Sequence, residues 1–221
     1  NLAMKGTGSG NDAYGVSAAQ KGGYGSTKTY QATGINIYDK DGAAFTLNGN
    51  LDMKVKGVGV DMRGSEKNAV TIAGGTIFTP DDGEEASYKA VAATSGTFAM
   101  GMNDAKTGSN GKDVVVQGTI SLGKKGTVDL GLGSSKSRWT GIADNKDGHP
   151  MNLYLSDGGM WENRRTSKDQ YGLFAGSRVT KVAGGTAPAK AGVIVQKDSN
   201  PITIDHYSGH TILVYDHEAS S

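Results

Sequence analysis

The chain has 221 residues, with 35 glycines, 4 prolines and no cysteine, and 23 Lys plus Arg against 22 Asp plus Glu give a formal net charge of +1. Near-neutrality argues against a nucleic-acid or polybasic membrane surface. The lack of cysteine excludes a disulfide scaffold and thiolate metal sites, and no apolar run approaches the ~18 residues of a spanning helix.

Leu, Ile, Val and Phe together number 39, too few for a compact helical domain, yet they are strictly patterned. The length allows one domain or two small ones. The first residue is Asn and no signal peptide is visible, so the sequence reads as part of a longer chain.

Residues 1–34 are Gly-rich with Ser, Lys and Ala between, and predict an irregular edge. The first firm strand is expected at Ile35–Tyr38. Phe45, Leu47, Leu51, Met53 and Val55 then fall on odd positions. The phase slips at Gly57, after which Val58, Val60 and Met62 fall on even ones. The same two-residue spacing recurs at Val70/Ile72, Phe98/Met100/Met102, Val114/Val116, Ile120/Leu122 and Val128/Leu130/Leu132. It returns at Met151/Leu153/Leu155, Val193/Val195, Ile202/Ile204 and Ile212/Val214. Period two means strands with one buried face. Bursts this short, ended by Gly, Asn, Asp or Ser, mean short strands with tight corners. The stretch Glu84–Thr94 departs from the pattern. Tyr88, Val91 and Ala92 stand at i, i+3, i+4 after Asp81-Asp82-Gly83, which predicts an excursion loop with one helical turn. Ala183–Gly192, with Pro188, is a second irregular stretch.

Gly75-Thr76-Ile77-Phe78, Gly96-Thr97-Phe98-Ala99 and Gly118-Thr119-Ile120-Ser121 resemble one another, and Gly126-Thr127-Val128-Asp129 matches again. A repeat near ~20 residues with three short strands per turn is what a single-stranded parallel β-helix requires, each coil burying its apolar face against its neighbours. The all-β class is therefore expected, with residues 35–221 forming the β-helix. A sandwich is the alternative, since Asn48-Gly49, Asp147-Gly148 and Asp157-Gly158 are hairpin-type dipeptides.

The C-terminal third carries ordered motifs. Ser137-Arg138-Trp139-Thr140-Gly141 precedes Met151-Asn152-Leu153-Tyr154-Leu155-Ser156-Asp157-Gly158-Gly159-Met160-Trp161. Ser177-Arg178-Val179 and Val193-Ile194-Val195 follow, and then Ile202 through Tyr215 with Ser208-Gly209-His210 at its centre. Over residues 137–217 this order resembles the distal passenger of pertactin-like autotransporters, leading into the autochaperone region. His210 stands where that family often has Gly, and a charged insert, Arg164–Asp169, follows the Trp161 strand. The resemblance implies a right-handed β-helix displayed at the bacterial cell surface by type V secretion, with a β-barrel beyond Ser221. The lack of cysteine agrees with passage across an outer membrane.

Several patterns invite chemistry. Asp81, Asp82, Glu84 and Glu85 form the densest acidic run, and β-helical polysaccharide lyases and hydrolases need converging carboxylates. No basic cluster is placed to support such a reaction, and a solvated turn accounts for the run. His206, His210 and His217 fall within twelve residues but lack the fixed spacing of a zinc site. Asp39-Lys40-Asp41-Gly42 and Asp144-Asn145-Lys146-Asp147-Gly148 begin like calcium loops and lack the later Glu. Gly6-Thr7-Gly8-Ser9-Gly10 is a phosphate loop only in composition. Trp139 and Trp161 are expected to pack at coil corners. No metal, cofactor or nucleic acid is expected.

The function expected is adhesion without catalysis. The partner would be a host or bacterial cell surface, a glycan or a matrix protein, or another copy of the chain. The loops Asp81–Thr94, Asp144–Pro150, Arg164–Asp169 and Ala183–Gly192 would make the contacts. Within them the candidate residues are Asp81, Asp82, Glu84, Glu85, Tyr88, Asp147, His149, Arg164, Arg165 and Lys168. The alternatives are a β-helical carbohydrate-active enzyme and a stalk that supports secretion and display.

Overall fold

The computed structural model describes residues 2–6, 14–17, 32–81, 88–168, 176–197 and 201–216. The protein is all-β, a strongly curled parallel sheet. Its strands are β1 (Leu2–Gly6), β2 (Tyr14–Ser17), β3 (Ala32–Tyr38), β4 (Ala44–Val55), β5 (Gly57–Arg63), β6 (Ala69–Phe78), β7 (Lys89–Met100), β8 (Val114–Gln117) and β9 (Thr119–Leu132). They continue as β10 (Arg138–Gly141), β11 (Ala143–Asp144), β12 (Met151–Leu155), β13 (Met160–Asn163), β14 (Ser177–Ala183), β15 (Gly192–Gln196), β16 (Ile202–Ser208) and β17 (Thr211–Tyr215). Among the described residues the one helical segment is a 3-10 turn at Pro188–Lys190.

The pairings between these strands are all parallel, and they fall into three ladders. The first runs β2–β3–β5–β7–β9–β11. The second runs β4–β6–β7–β9–β12–β14–β16. The third runs β1–β4–β6–β8–β10–β13–β15–β17. The long strands β4, β6, β7 and β9 each serve two ladders. In β4, Ala44–Leu47 pairs in the second and Asn50–Val55 in the third, with a register shift between them. That shift is where Asn48-Gly49 sits, so the dipeptide bends a strand instead of closing a hairpin. Asp157-Gly158 joins β12 to β13, which pair with other strands and not with each other. The hairpin dipeptides therefore make corners, and the sandwich alternative falls with them.

Alternation fills the interior with columns of like residues. In the first ladder Ile35, Val60, Val91, Ile120 and Ala143 are in register. In the third, Met53, Ile77, Val116, Trp139, Trp161 and Ile194 are. All eleven are buried. Burying a side chain of this size is worth roughly 1.5–3 kcal/mol relative to leaving it exposed, so a thin core suffices when every strand covers the next.

Three expectations differ from what is seen. Lys89–Met100 is a strand, not a loop with a helical turn. Ala90, Val91 and Ala93 are buried in the ladder, and packing there outweighs the local helical spacing. The Gly-Thr segments also stack differently. Gly96-Thr97-Phe98 lies in register with Gly126-Thr127-Val128, whereas Gly75-Thr76-Ile77 pairs with Val114-Val115-Val116 and with Leu51-Asp52-Met53. Loops of unequal length at the corners, not a fixed ~20-residue repeat, set the register. Trp139 and Trp161 sit within strands rather than at corners, fully buried.

The last rung, β16 with β17, is covered on one side only among the described residues. Tyr207, Leu213 and Tyr215 are more than half exposed, although they continue columns buried one rung earlier.

Candidate functional site

Two of the four candidate loops meet at the corner where the chain leaves the third ladder. At most rungs this corner is tight, as at Gln117–Gly118. After β6 and after β13 it is not. Thr79 is locked where the first longer segment departs. Its N–H and hydroxyl both donate to the Gln117 carbonyl (3.0 and 2.9 Å), and Gln117 Nε2 donates back to the Thr79 carbonyl at 2.8 Å.

From the later segment, Arg164 reaches back 83 residues in sequence to Asp81. Its two terminal nitrogens donate to the two carboxylate oxygens at 3.0 and 2.6 Å. This is the bidentate geometry that makes an arginine–carboxylate pair directional. Arg164 Nε donates to Glu162 Oε1 at 2.9 Å, and Arg138 pairs with the other oxygen of Glu162. Arg138 Nε also donates to Thr140 Oγ1 at 3.1 Å. Asp81, Arg164, Glu162 and Arg138 thus alternate in sign across several rungs. The hydrogen bonds it donates to Asp81, and then to Glu162, hold the pKa of the Arg164 guanidinium well above its ordinary value despite partial burial, so it stays charged. Alongside, Ser167 donates its hydroxyl to the Tyr88 carbonyl at 2.9 Å, and Tyr88 itself is buried. Thr166 is fully buried next to it.

The other candidates are placed as follows. Arg165 is half-buried and Lys168 exposed on the same segment. Asp82, Glu84 and Glu85 lie outside the described residues. Asp147 and His149 belong to a different corner, between the first and second ladders. There Asn145 clamps His149 by accepting from its N–H (2.8 Å) and donating to its carbonyl (2.7 Å). Arg178 closes that corner with a two-nitrogen grip on Asp205 at 3.0 and 3.1 Å. His206 and His210 are exposed, and His217 lies outside the described residues. Among the described residues no group of three or more His, Asp or Glu side chains is placed to hold a metal ion, and no helix is long and apolar enough to cross a membrane.

Chemically, Asp81, Arg164, Glu162 and Arg138 form a chain of paired charges of alternating sign, and Thr166 Oγ1 beside it is buried without a hydrogen-bond partner. Both oxygens of Asp81 accept from one guanidinium, so the described member of the acidic run is engaged in structure. Sequence reading missed Glu162 and Arg138. A signal was available: setting Trp139 over Trp161 puts Arg138-Trp139-Thr140 against Met160-Trp161-Glu162, which brings Arg138 close to Glu162.

No protein-family model matches the chain, and no curated protein or solved structure matches it.

Proposed function

We propose that the chain is a right-handed, single-stranded parallel β-helix with three short strands to each coil. It serves as part of the surface-exposed passenger of a bacterial autotransporter adhesin, outside the cell. Three parallel ladders joined by bends support the fold. The motif order over residues 137–217 and the lack of cysteine support the secretion route. The partner is a cell surface, a glycan or a matrix protein, or another copy of the chain, met through corner loops on a stiff rod. Many displayed copies then add weak contacts into firm attachment.

The observation that carries this reading is the grip of Arg164 on Asp81. An insertion that the ladders do not need is folded back across several rungs and pinned by a bidentate ion pair. A pinned exterior segment presents its side chains at low entropic cost to binding.

The test is attachment of the purified protein to cells and to immobilised matrix proteins and glycans, compared with Arg164→Ala. Wild type attaches; the variant attaches several-fold less while keeping its β-sheet circular dichroism. No attachment to any surface would leave the stalk reading. New reducing ends in a polysaccharide panel would establish the enzyme reading instead.

A further inference from the structure

A cleft of about 260 Å3 opens at the corner between the second and third ladders, away from the Arg164 segment. Its walls come from three places in the chain: the loop after β7 (Thr107, Ser109), the end of β12 (Tyr154, Asp157) and the corner after β14 (Thr186, Lys190). The sequence is arranged to bring them together. Gly133 leaves the space in which a Cβ would stand 2.2 Å from Ser109 Oγ and 3.3 Å from Ser156 Oγ. That absence lets the post-β7 loop lie across the rung toward Asp157.

The floor and rim are fixed. Tyr154 donates its hydroxyl to the Lys106 carbonyl at 3.3 Å, and Lys181 Nζ lies 5.3 Å from the ring centroid. The Asp157 N–H donates to the Lys190 carbonyl at 2.8 Å and the Gly158 N–H to the Ala191 carbonyl at 3.0 Å. The turn bearing the carboxylate and the turn bearing the ammonium are therefore clamped side by side. Among the described residues, the two non-glycine residues with left-handed backbone, Lys106 (φ 53°) and Asp157 (φ 52°), both belong to this cleft's frame. Such conformations persist where surrounding structure enforces them.

We propose that this cleft binds one residue of a neutral glycan. An anion alone meets the Asp157 carboxylate, and a cation alone meets Lys190. A neutral polyhydroxylated ring satisfies both, donating hydroxyls to Asp157 and accepting from Lys190, with Thr107, Ser109 and Thr186 supplying hydroxyls around it. The volume lies just below the roughly 300–1,000 Å3 of pockets that take drug-sized ligands, which suits a single sugar ring. The assignment gives the attachment reading a ligand class and rests on it only for its biological setting. Its test is a small-molecule titration, which can fail while cell attachment through the Arg164 corner stands.

The experiment is saturation-transfer NMR and titration of the whole chain with a panel of neutral methyl glycosides. Asp157→Asn is the key variant because Asn tolerates left-handed backbone. Lys190→Met, on an exposed turn, is the second. At least one glycoside binds with millimolar affinity, and each variant weakens it about tenfold, the worth of one hydrogen bond to a charged group. Asp52→Asn, at an exposed position on β4, leaves binding unchanged, and all three variants melt like the parent. The proposal is overturned if no glycoside binds, if binding ignores Asp157 and Lys190, or if free zwitterionic amino acids displace the sugar at lower concentration.

Discussion

Trp139 lies directly beneath Trp161, ring centroids 4.9 Å apart and planes within 5° of parallel, and each indole donates its N–H to the carbonyl of a corner glycine. Trp139 Nε1 reaches the Gly118 carbonyl and Trp161 Nε1 the Gly141 carbonyl, both at 3.0 Å. The two residues are register partners in β10 and β13. One motif thus repeats on successive rungs: a buried aromatic fills the interior, and its polar edge satisfies the turn that carries the chain to the next ladder.

Trp161→Ala removes a stacked partner and a buried hydrogen bond together. Large-to-small changes of aromatic core residues cost about 3–5 kcal/mol, and the urea midpoint is expected to fall accordingly. Trp161→Phe, which retains most of the volume but loses the N–H, is expected to cost clearly less. Equal losses in the two variants would show that the hydrogen bond, not the stack, carries the stability.

Gly75 separates a register-critical glycine from an ordinary one. Its φ is +109°, and an added Cβ would stand 2.0 Å from the Leu51 carbonyl oxygen. Gly111 has φ +79° and nothing within 4 Å of that position. Gly111→Ala is expected to cost about 1–2 kcal/mol from backbone strain alone. Gly75→Ala is expected to cost more, because the neighbouring rung must also move. Thermal melts of the two variants side by side check this.

Asp61 gives the fold a pH dependence opposite to that of most carboxylates. Burial raises its pKa above the ordinary 3.8, against the lowering influence of Arg63 and Lys89, and Arg63 pairs with it at 3.3 Å. The folded state therefore holds this proton more tightly than the unfolded chain does. The resulting stabilisation is complete below 3.8 and is lost as pH rises through the raised value. Asp61→Asn is expected to gain stability relative to the parent as pH rises from acid to neutral, read as melting temperature against pH. A constant difference would contradict this.

The sequence alone suggests that Ile204→Asp unfolds the distal part of the molecule, and the structure tempers that. Ile204 is only half-buried on the last described rung, while its register partner Val179 is fully buried. A carboxylate at 179 has no water and no partner, whereas one at 204 reaches solvent. Val179→Asp is expected to lower the melting temperature sharply and Ile204→Asp modestly.

Much of the fold is legible from alternation. The odd-to-even slip at Gly57 marks the corner between β4 and β5, and Met151-Asn152-Leu153-Tyr154-Leu155 is β12 residue for residue. What alternation cannot give is the partner of each strand. Local similarity pairs Gly75 with Gly96, but the inserted loops decide the stacking, and Gly96 meets Gly126. For the same reason Arg164 and Asp81 were each visible as loop residues while their union was not, since it depends on how many rungs separate them. Asp157 and Lys190 lie in segments read as a turn and an irregular loop, and their convergence needs the open space beside Gly133.

The fold rests on parallel stacking in register, and paired cysteine cross-linking tests it most directly in a chain that has no cysteine. Lys54 and Phe78 are exposed register partners on β4 and β6. Neighbouring strands lie about 4.7–4.9 Å apart, within the roughly 4.4–6.8 Å Cα separation a disulfide spans. Lys54→Cys with Phe78→Cys is predicted to oxidise rapidly to an intramolecular disulfide. Phe45→Cys with Asp52→Cys, the pair a hairpin at Asn48-Gly49 would oppose, is predicted to remain reduced. Fast closure of the second pair and not the first would contradict the account.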